Sequence, residues 1–184
     1  MDGQQLQILT LFLCNIVKPK RRIPRHLKNF MCTTALPVLH QKRLIDVFGK
    51  SNTGKTSTLN ALIGKLLADP SFTLIDPVSK NDVYDRVIGR MNGLTIGVIT
   101  FGDPGYDAEV KSFLNGPCIH YGCDVIFTAS RTFGGVYNVE RAFAAANNYH
   151  FIETSPLYMP TTPGPGSLFA PLHDIFADML FKLI

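Results

Sequence analysis

A chain of 184 residues with 46% hydrophobic and 17% charged positions is long enough to bury a core and too apolar to stay disordered, so one globular domain is expected. The formal charge of +4 belongs to the head alone. Lys18, Lys20, Arg21, Arg22, Arg25 and Lys28 face only Asp2 in the first 30 positions, and the remainder carries 12 basic against 13 acidic residues. This excludes a nucleic-acid-binding domain built on the basicity of the whole chain.

Leu6 to Val17 is an apolar run interrupted by Thr10 and Asn15, shorter than the roughly 20 residues a membrane-spanning helix needs. Its flanks reverse those of a secretion signal, with Asp2 before the run and the basic residues after it. Pro19 and Pro24 argue against a continuous helix from Lys18 to Lys28. Residues 1–40 therefore read as a basic, exposed arm, and its segment 18–28 offers a weak contact to nucleic acid or to an anionic membrane surface. Cys14, Cys32, Cys118 and Cys123 form no C-x-x-C pair and no cleavable leader is evident, which points to a reducing cytoplasm. Cys118, His120 and Cys123 lie close in sequence but lack a fourth ligand and regular zinc spacing, so buried or incidental thiols are expected.

The domain proper spans residues 41–184. Leu44-Ile45-Asp46-Val47-Phe48 reads as a short strand, and Gly49-Lys50-Ser51-Asn52-Thr53-Gly54-Lys55-Thr56 follows it. That octet fits G-x-x-x-x-G-K-[ST] at every fixed position. Glycines let the backbone N–H groups turn inward around a phosphate, the lysine reaches the β- and γ-phosphates, and the hydroxyl ligates Mg²⁺. Lys55 is read as an exposed loop cation whose removal spares the fold. Lys55 to Ala68 then sets Leu59, Leu62, Ile63 and Leu66 at helical spacing before Asp69-Pro70 ends the helix. With strand, loop and helix in order, residues 43–155 resemble the P-loop NTPase superfamily. The resemblance implies a three-layer α/β sandwich with a mostly parallel sheet, here with one antiparallel hairpin, and binding of a nucleoside triphosphate with Mg²⁺.

Phe72 to Asp76 predicts a short strand, followed by a polar turn through Pro77, Ser79, Lys80 and Asn81. Val83 to Met91 and Leu94 to Phe101 flank Asn92-Gly93, the preferred two-residue hairpin turn. The second strand is nearly all apolar and ends at Gly102-Asp103, a Walker B arrangement in which the Asp103 carboxylate holds Mg²⁺ together with Thr56. Asp103-Pro104-Gly105 is also a good turn in its own right. Asp107 to Asn115 predicts a helix burying Val110, Phe113 and Leu114; Asp124 to Ser130 predicts a buried strand; Arg131 stands at its carboxyl end, where ligands meet open α/β sheets. Val136 to Asn147 predicts a helix facing inward with Val139, Ala142, Phe143 and Ala146, and Tyr149 to Thr154 predicts the last strand. After a loop rich in proline, an apolar stripe including Leu172, Ile175, Phe176, Met179, Leu180 and Leu183 predicts a C-terminal helix that packs on the sheet or holds a protein partner.

Glu153-Thr154-Ser155 and the order of motifs are similar to Ras-like small GTPases, but D-x-x-G reads Asp103-Pro104-Gly105-Tyr106 and the guanine-reading N-K-x-D is replaced by Thr128-Ala129-Ser130-Arg131. Without the guanine-binding Asp, ATP is favoured over GTP. The stretches around Asp103 and from Asp124 to Thr132 look similar to small ATP-binding proteins of bacteria and mobile elements. Three classes are compatible: a slow Mg²⁺-dependent ATPase with Lys55 and Asp103 as its catalytic residues and Asp103 or Asp107 orienting water, a small-molecule phosphotransferase needing an acceptor pocket and a mobile basic lid for which Arg131 and Arg141 are the candidates, and a GTP-binding or switch-like module with little turnover.

Overall fold

The computed structural model describes residues 41–80, 83–132, 134–156 and 170–184, and the expected arm over residues 1–40 lies outside them. β1 (Arg43–Phe48) is flanked in parallel by β5 (Val125–Ser130) and β6 (His150–Thr154). β5 pairs in parallel with β4 (Leu94–Ile99), which pairs antiparallel with β3 (Val83–Met91), and β3 pairs antiparallel with β2 (Thr73–Lys80). The strand order among the described residues is β2-β3-β4-β5-β1-β6, a mixed sheet in an α/β fold.

Asn92 and Gly93 adopt φ of 53° and 82°, the left-handed pair that lets a two-residue turn match strand twist. The β3–β4 hairpin follows from them. β2 departs from expectation: where the sequence predicts a polar turn from Pro77, the strand runs on to Lys80. It occupies the sheet edge, where a missing proline N–H is tolerated, and its register shifts twice along β3.

Helices cover both faces. α1 (Lys55–Ala68) buries Leu59, Leu62, Ile63 and Leu66 against Ile45, Val47, Val98 and Phe127, together with Phe176, Ala177 and Leu180 of α4 (Ala170–Phe181). On the opposite face, α2 (Asp107–Phe113) and α3 (Gly135–Ala146) bring Val110, Phe113, Val136 and Phe143 onto Leu44, Ile88, Ile99 and Ile126. Each fully buried aliphatic or Phe side chain contributes roughly 1.5–3 kcal/mol, and the two sets clamp the sheet that carries the loop.

Three helical details differ from the sequence reading. After Phe113 the chain passes into a π-helical segment, Leu114–Cys118, because Pro117 supplies no N–H to a tighter ladder. α3 is rotated from its predicted face: Val136, Glu140, Phe143 and Ala144 are buried while Ala142 and Ala146 are exposed. The α4 stripe is split, with Phe176 and Leu180 buried and Ile175, Met179 and Leu183 exposed at 53%, 57% and 41%. Among the described residues no helix is long and apolar enough to cross a membrane. Cys118 and Cys123 are buried free thiols packed against Gly97, and His120 is exposed.

Candidate functional site

β1 delivers the chain to Gly49, whose N–H donates to the Ser130 carbonyl at 3.1 Å and so ties the loop entry to the end of β5. Asn52 and Gly54 take left-handed φ of 59° and 83°, and Gly54 leads directly into α1. The Thr53 hydroxyl donates to the Lys50 carbonyl at 2.9 Å and sits against Gly49, where a Cβ would come within 2.8 Å of it. Gly49 is thus needed for close approach and Gly54 for its backbone angle. Among the described residues the N–H groups of Lys50 to Gly54 reach no acceptor, which leaves a row of donors at the start of a 14-residue helix, an arrangement suited to an anion.

Lys55 overturns one expectation. It is 6% exposed, not an exposed loop cation, because its ammonium folds back to donate to the Gly49 carbonyl at 3.1 Å and the Lys50 carbonyl at 2.8 Å. Burial lowers its pKa; the Asp103 carboxylate opposes this, Arg131 reinforces it and Asp46 opposes it again. The charge is held inside the loop by carbonyl oxygens that a phosphate could replace.

Arg131 links the loop to Asp103. Its Nε and Nη2 each lie 3.2 Å from Asp103 Oδ1, and Nη2 also donates to the Ser51 hydroxyl at 3.3 Å. This arrangement depends on topology: β5 lies between β1 and β4, so Arg131 at the end of β5 stands between the loop and the Asp103 turn. The ion pair has side-chain exposures of 36% and 58%, and such solvated pairs contribute little net stability, so a ligand can displace it at small cost. Thr56 donates to the Thr100 carbonyl at 3.4 Å. The two expected metal-side residues therefore share one end of the sheet, with Thr56 turned to Thr100 and Asp103 turned to Arg131. These oxygens are of the hard type that Mg²⁺ takes.

Other expected residues point elsewhere. The Asp107 carboxylate, expected as one candidate to orient water, lies against Gly135 at the start of α3, where a Cβ would overlap it. Arg141 donates to the Tyr137 hydroxyl at 3.1 Å, and Tyr137 donates to Glu153 at 2.7 Å. Of the four residues that replace the guanine-reading motif, Thr128, Ala129 and Ser130 are fully buried and Arg131 alone reaches the surface. Ser155 ends the Glu-Thr-Ser run beside Gly49.

Sequence reasoning missed three residues around the loop. Asp46 is fully buried, with Oδ2 accepting the Ser130 hydroxyl at 2.6 Å; an ionisable residue inside an otherwise apolar strand was its signal. Glu140 is also fully buried, on the face of α3 that the alanines obscure. His173 of α4 lies over Gly54, with Nδ1 3.4 Å from the Thr58 hydroxyl. Comparison with known family models, with curated proteins and with solved structures gave no match to this chain.

Proposed function

We propose that the Gly49–Thr56 loop binds a nucleoside triphosphate with Mg²⁺, ATP in preference to GTP, and that the protein hydrolyses it slowly. The conformation of the loop carries this reading: left-handed Asn52 and Gly54, a run of N–H groups without acceptors and a lysine folded inward come together at the start of α1. In the bound state Lys55 would transfer its hydrogen bonds from the loop carbonyls to phosphate oxygens, the Thr56 hydroxyl and Asp103 would hold Mg²⁺, which would supply charge to offset the phosphates, and Arg131 would exchange Asp103 for phosphate oxygen. The burial of Thr128, Ala129 and Ser130 supports ATP, since three of the four side chains where a guanine reader would stand are turned inward. The buried free thiols Cys118 and Cys123 fit a reducing cytoplasm.

One observation favours a phosphotransferase as the second reading. A cavity of about 400 Å³ lies beside the end of β4, lined by Asp85, Arg86, Ile99, Phe101 and Glu109 among others. This is within the size range of small-molecule sites and would hold an acceptor near the Asp103 turn. ADP formation that requires an added small molecule would favour that reading.

Lys55→Ala tests the proposal. A charge-assisted hydrogen bond is worth about 1.5–3 kcal/mol, so calorimetry should show Mg-ATP affinity reduced on the order of 10- to 100-fold in a variant whose circular dichroism remains native. Unchanged affinity in the folded variant would remove the assignment.

A further inference from the structure

On the α2/α3 face of the sheet, close to the loop, β1, β5 and α3 contribute buried polar side chains with little to bond to. Asp46 and Glu140 are fully buried, and Asp46 stands opposite Thr128 in the β1–β5 register. Among the described residues Asp46 Oδ1, Thr128 Oγ1 and both Glu140 carboxyl oxygens make no hydrogen bond. Two ionised carboxylates left this way would be strongly destabilising. Protons resolve the conflict. Burial, reinforced by the Asp46 charge and only partly opposed by the neighbouring Thr128 hydroxyl, holds the Glu140 carboxyl well above its usual range. Burial likewise pushes Asp46 up to about 7, with the Ser130 hydroxyl opposing, the Glu153 carboxylate of β6 adding to the rise and the Lys55 ammonium opposing.

Asp46 is connected to the loop by short links. The residue that donates to it, Ser130, accepts the Gly49 N–H through its own carbonyl. Asp46 precedes Gly49 by three residues, about 10 Å at a strand rise of ~3.3 Å per residue. The Lys55 ammonium that favours an ionised Asp46 is the one held by the Gly49 and Lys50 carbonyls.

We propose that the Asp46–Glu140 pair is a proton-binding site coupled to the loop, so that binding of a nucleotide's phosphates makes Asp46 take up one proton from solvent while Glu140 stays protonated. The inference rests on the phosphate-binding reading. The titratable and charged groups facing Asp46 are Lys55, Glu153 and Glu140, from the loop–α1 junction, β6 and α3; Thr128 and Ser130 of β5 do not titrate. Phosphates add negative charge and draw Lys55 toward themselves, and both changes disfavour the Asp46 carboxylate. Each phosphate charge not neutralised by Lys55 or Mg²⁺ strengthens proton binding at Asp46, roughly tenfold for a charge on the order of 10 Å away at an effective dielectric of about 20.

Titrating Mg-ATP and Mg-GTP into the full chain by calorimetry, between about pH 6 and 9 in buffers of different ionisation heat, counts the protons exchanged. Wild type should take up as much as about one proton per nucleotide above pH ~7, with affinity falling by up to about tenfold per pH unit there. Asp46→Asn should abolish that uptake. Ser130→Ala, which deletes the hydroxyl that favours the carboxylate, should move the fall in affinity to higher pH. The nucleotide's own ionisation is common to all three proteins and cancels between them. Equal proton counts in wild type and Asp46→Asn, or an unmoved profile in Ser130→Ala, would overturn the coupling.

Denaturation of the nucleotide-free chain separates the two ideas. Because Asp46 is raised in the fold, its stabilising contribution is complete below about pH 4 and is lost as pH rises through about 7. That loss without nucleotide binding would place the error in the phosphate reading and overturn the coupling with it. Binding without that loss would place the error in the proton site.

Discussion

Gly54→Ala probes the joint between the loop and α4. Gly54 has φ of 83° and ψ of 13°, a left-handed conformation that costs an L-residue about 1–2 kcal/mol. A Cβ there would also overlap the His173 ring, with Nδ1 at 2.7 Å and Nε2 at 3.0 Å. Moving that ring disturbs its packing and its 3.4 Å contact with Thr58, adding about 1 kcal/mol on the scale of typical point changes. The total expected is about 2–3 kcal/mol. Gly93→Ala supplies an internal reference, because Gly93 has nearly the same φ, 82°, with nothing within 4 Å of an added Cβ. Urea denaturation should show Gly54→Ala to be the costlier by about 1 kcal/mol, and this excess should vanish in a His173→Ala background. Equal costs for the two glycines, or an excess that survives without His173, would refute the proposed contact.

Asp103→Asn should weaken Mg-ATP more than metal-free ATP in parallel calorimetric titrations; equal weakening would return Asp103 to its turn, where its carbonyl accepts the Tyr106 N–H at 3.3 Å. Arg131→Ala should lower ATP affinity about tenfold, the worth of one charge-assisted contact, with little change in melting temperature because its ion pair is solvated; a large loss of stability with unchanged affinity would assign Arg131 a structural role. For Glu140, whose carboxyl burial holds well above its ordinary value of 4.5, the stabilising contribution is complete below about pH 4.5 and falls as pH rises. Glu140→Gln should therefore gain stability relative to wild type on going from about pH 5 to 8, and a difference independent of pH would contradict the burial argument.

Elements with local physical causes were the legible ones. The spacing of Leu59, Leu62, Ile63 and Leu66 defines α1, and Asn92-Gly93 defines the β3–β4 turn. The octet likewise coincides with a loop in which Asn52 and Gly54 take left-handed angles. What stayed hidden depended on tertiary partners. β2 extends through Pro77 because it pairs with β3 along a single edge, which no local pattern reports. The alanines of α3 give weak directional preference, so the pattern places Phe143 inward but carries no sign that Glu140 joins it. Lys55 looked exposed because a lysine in a glycine-rich loop usually is, and its burial arises from two carbonyls that become neighbours only after the loop closes. His173 lies 119 positions beyond Gly54 in the chain, and packing of α4 on α1 alone brings them together.

Calorimetric titration of Mg-ATP and Mg-GTP into the full-length chain, with product formation followed in the same samples, tests nucleotide binding most directly. Saturable binding of both with ATP the tighter, and slow ADP release, is the predicted result. Saturable binding with GTP the tighter would retain the phosphate loop and overturn the base preference. No saturable heat with either nucleotide would contradict the assignment of the Gly49–Thr56 loop as a phosphate site.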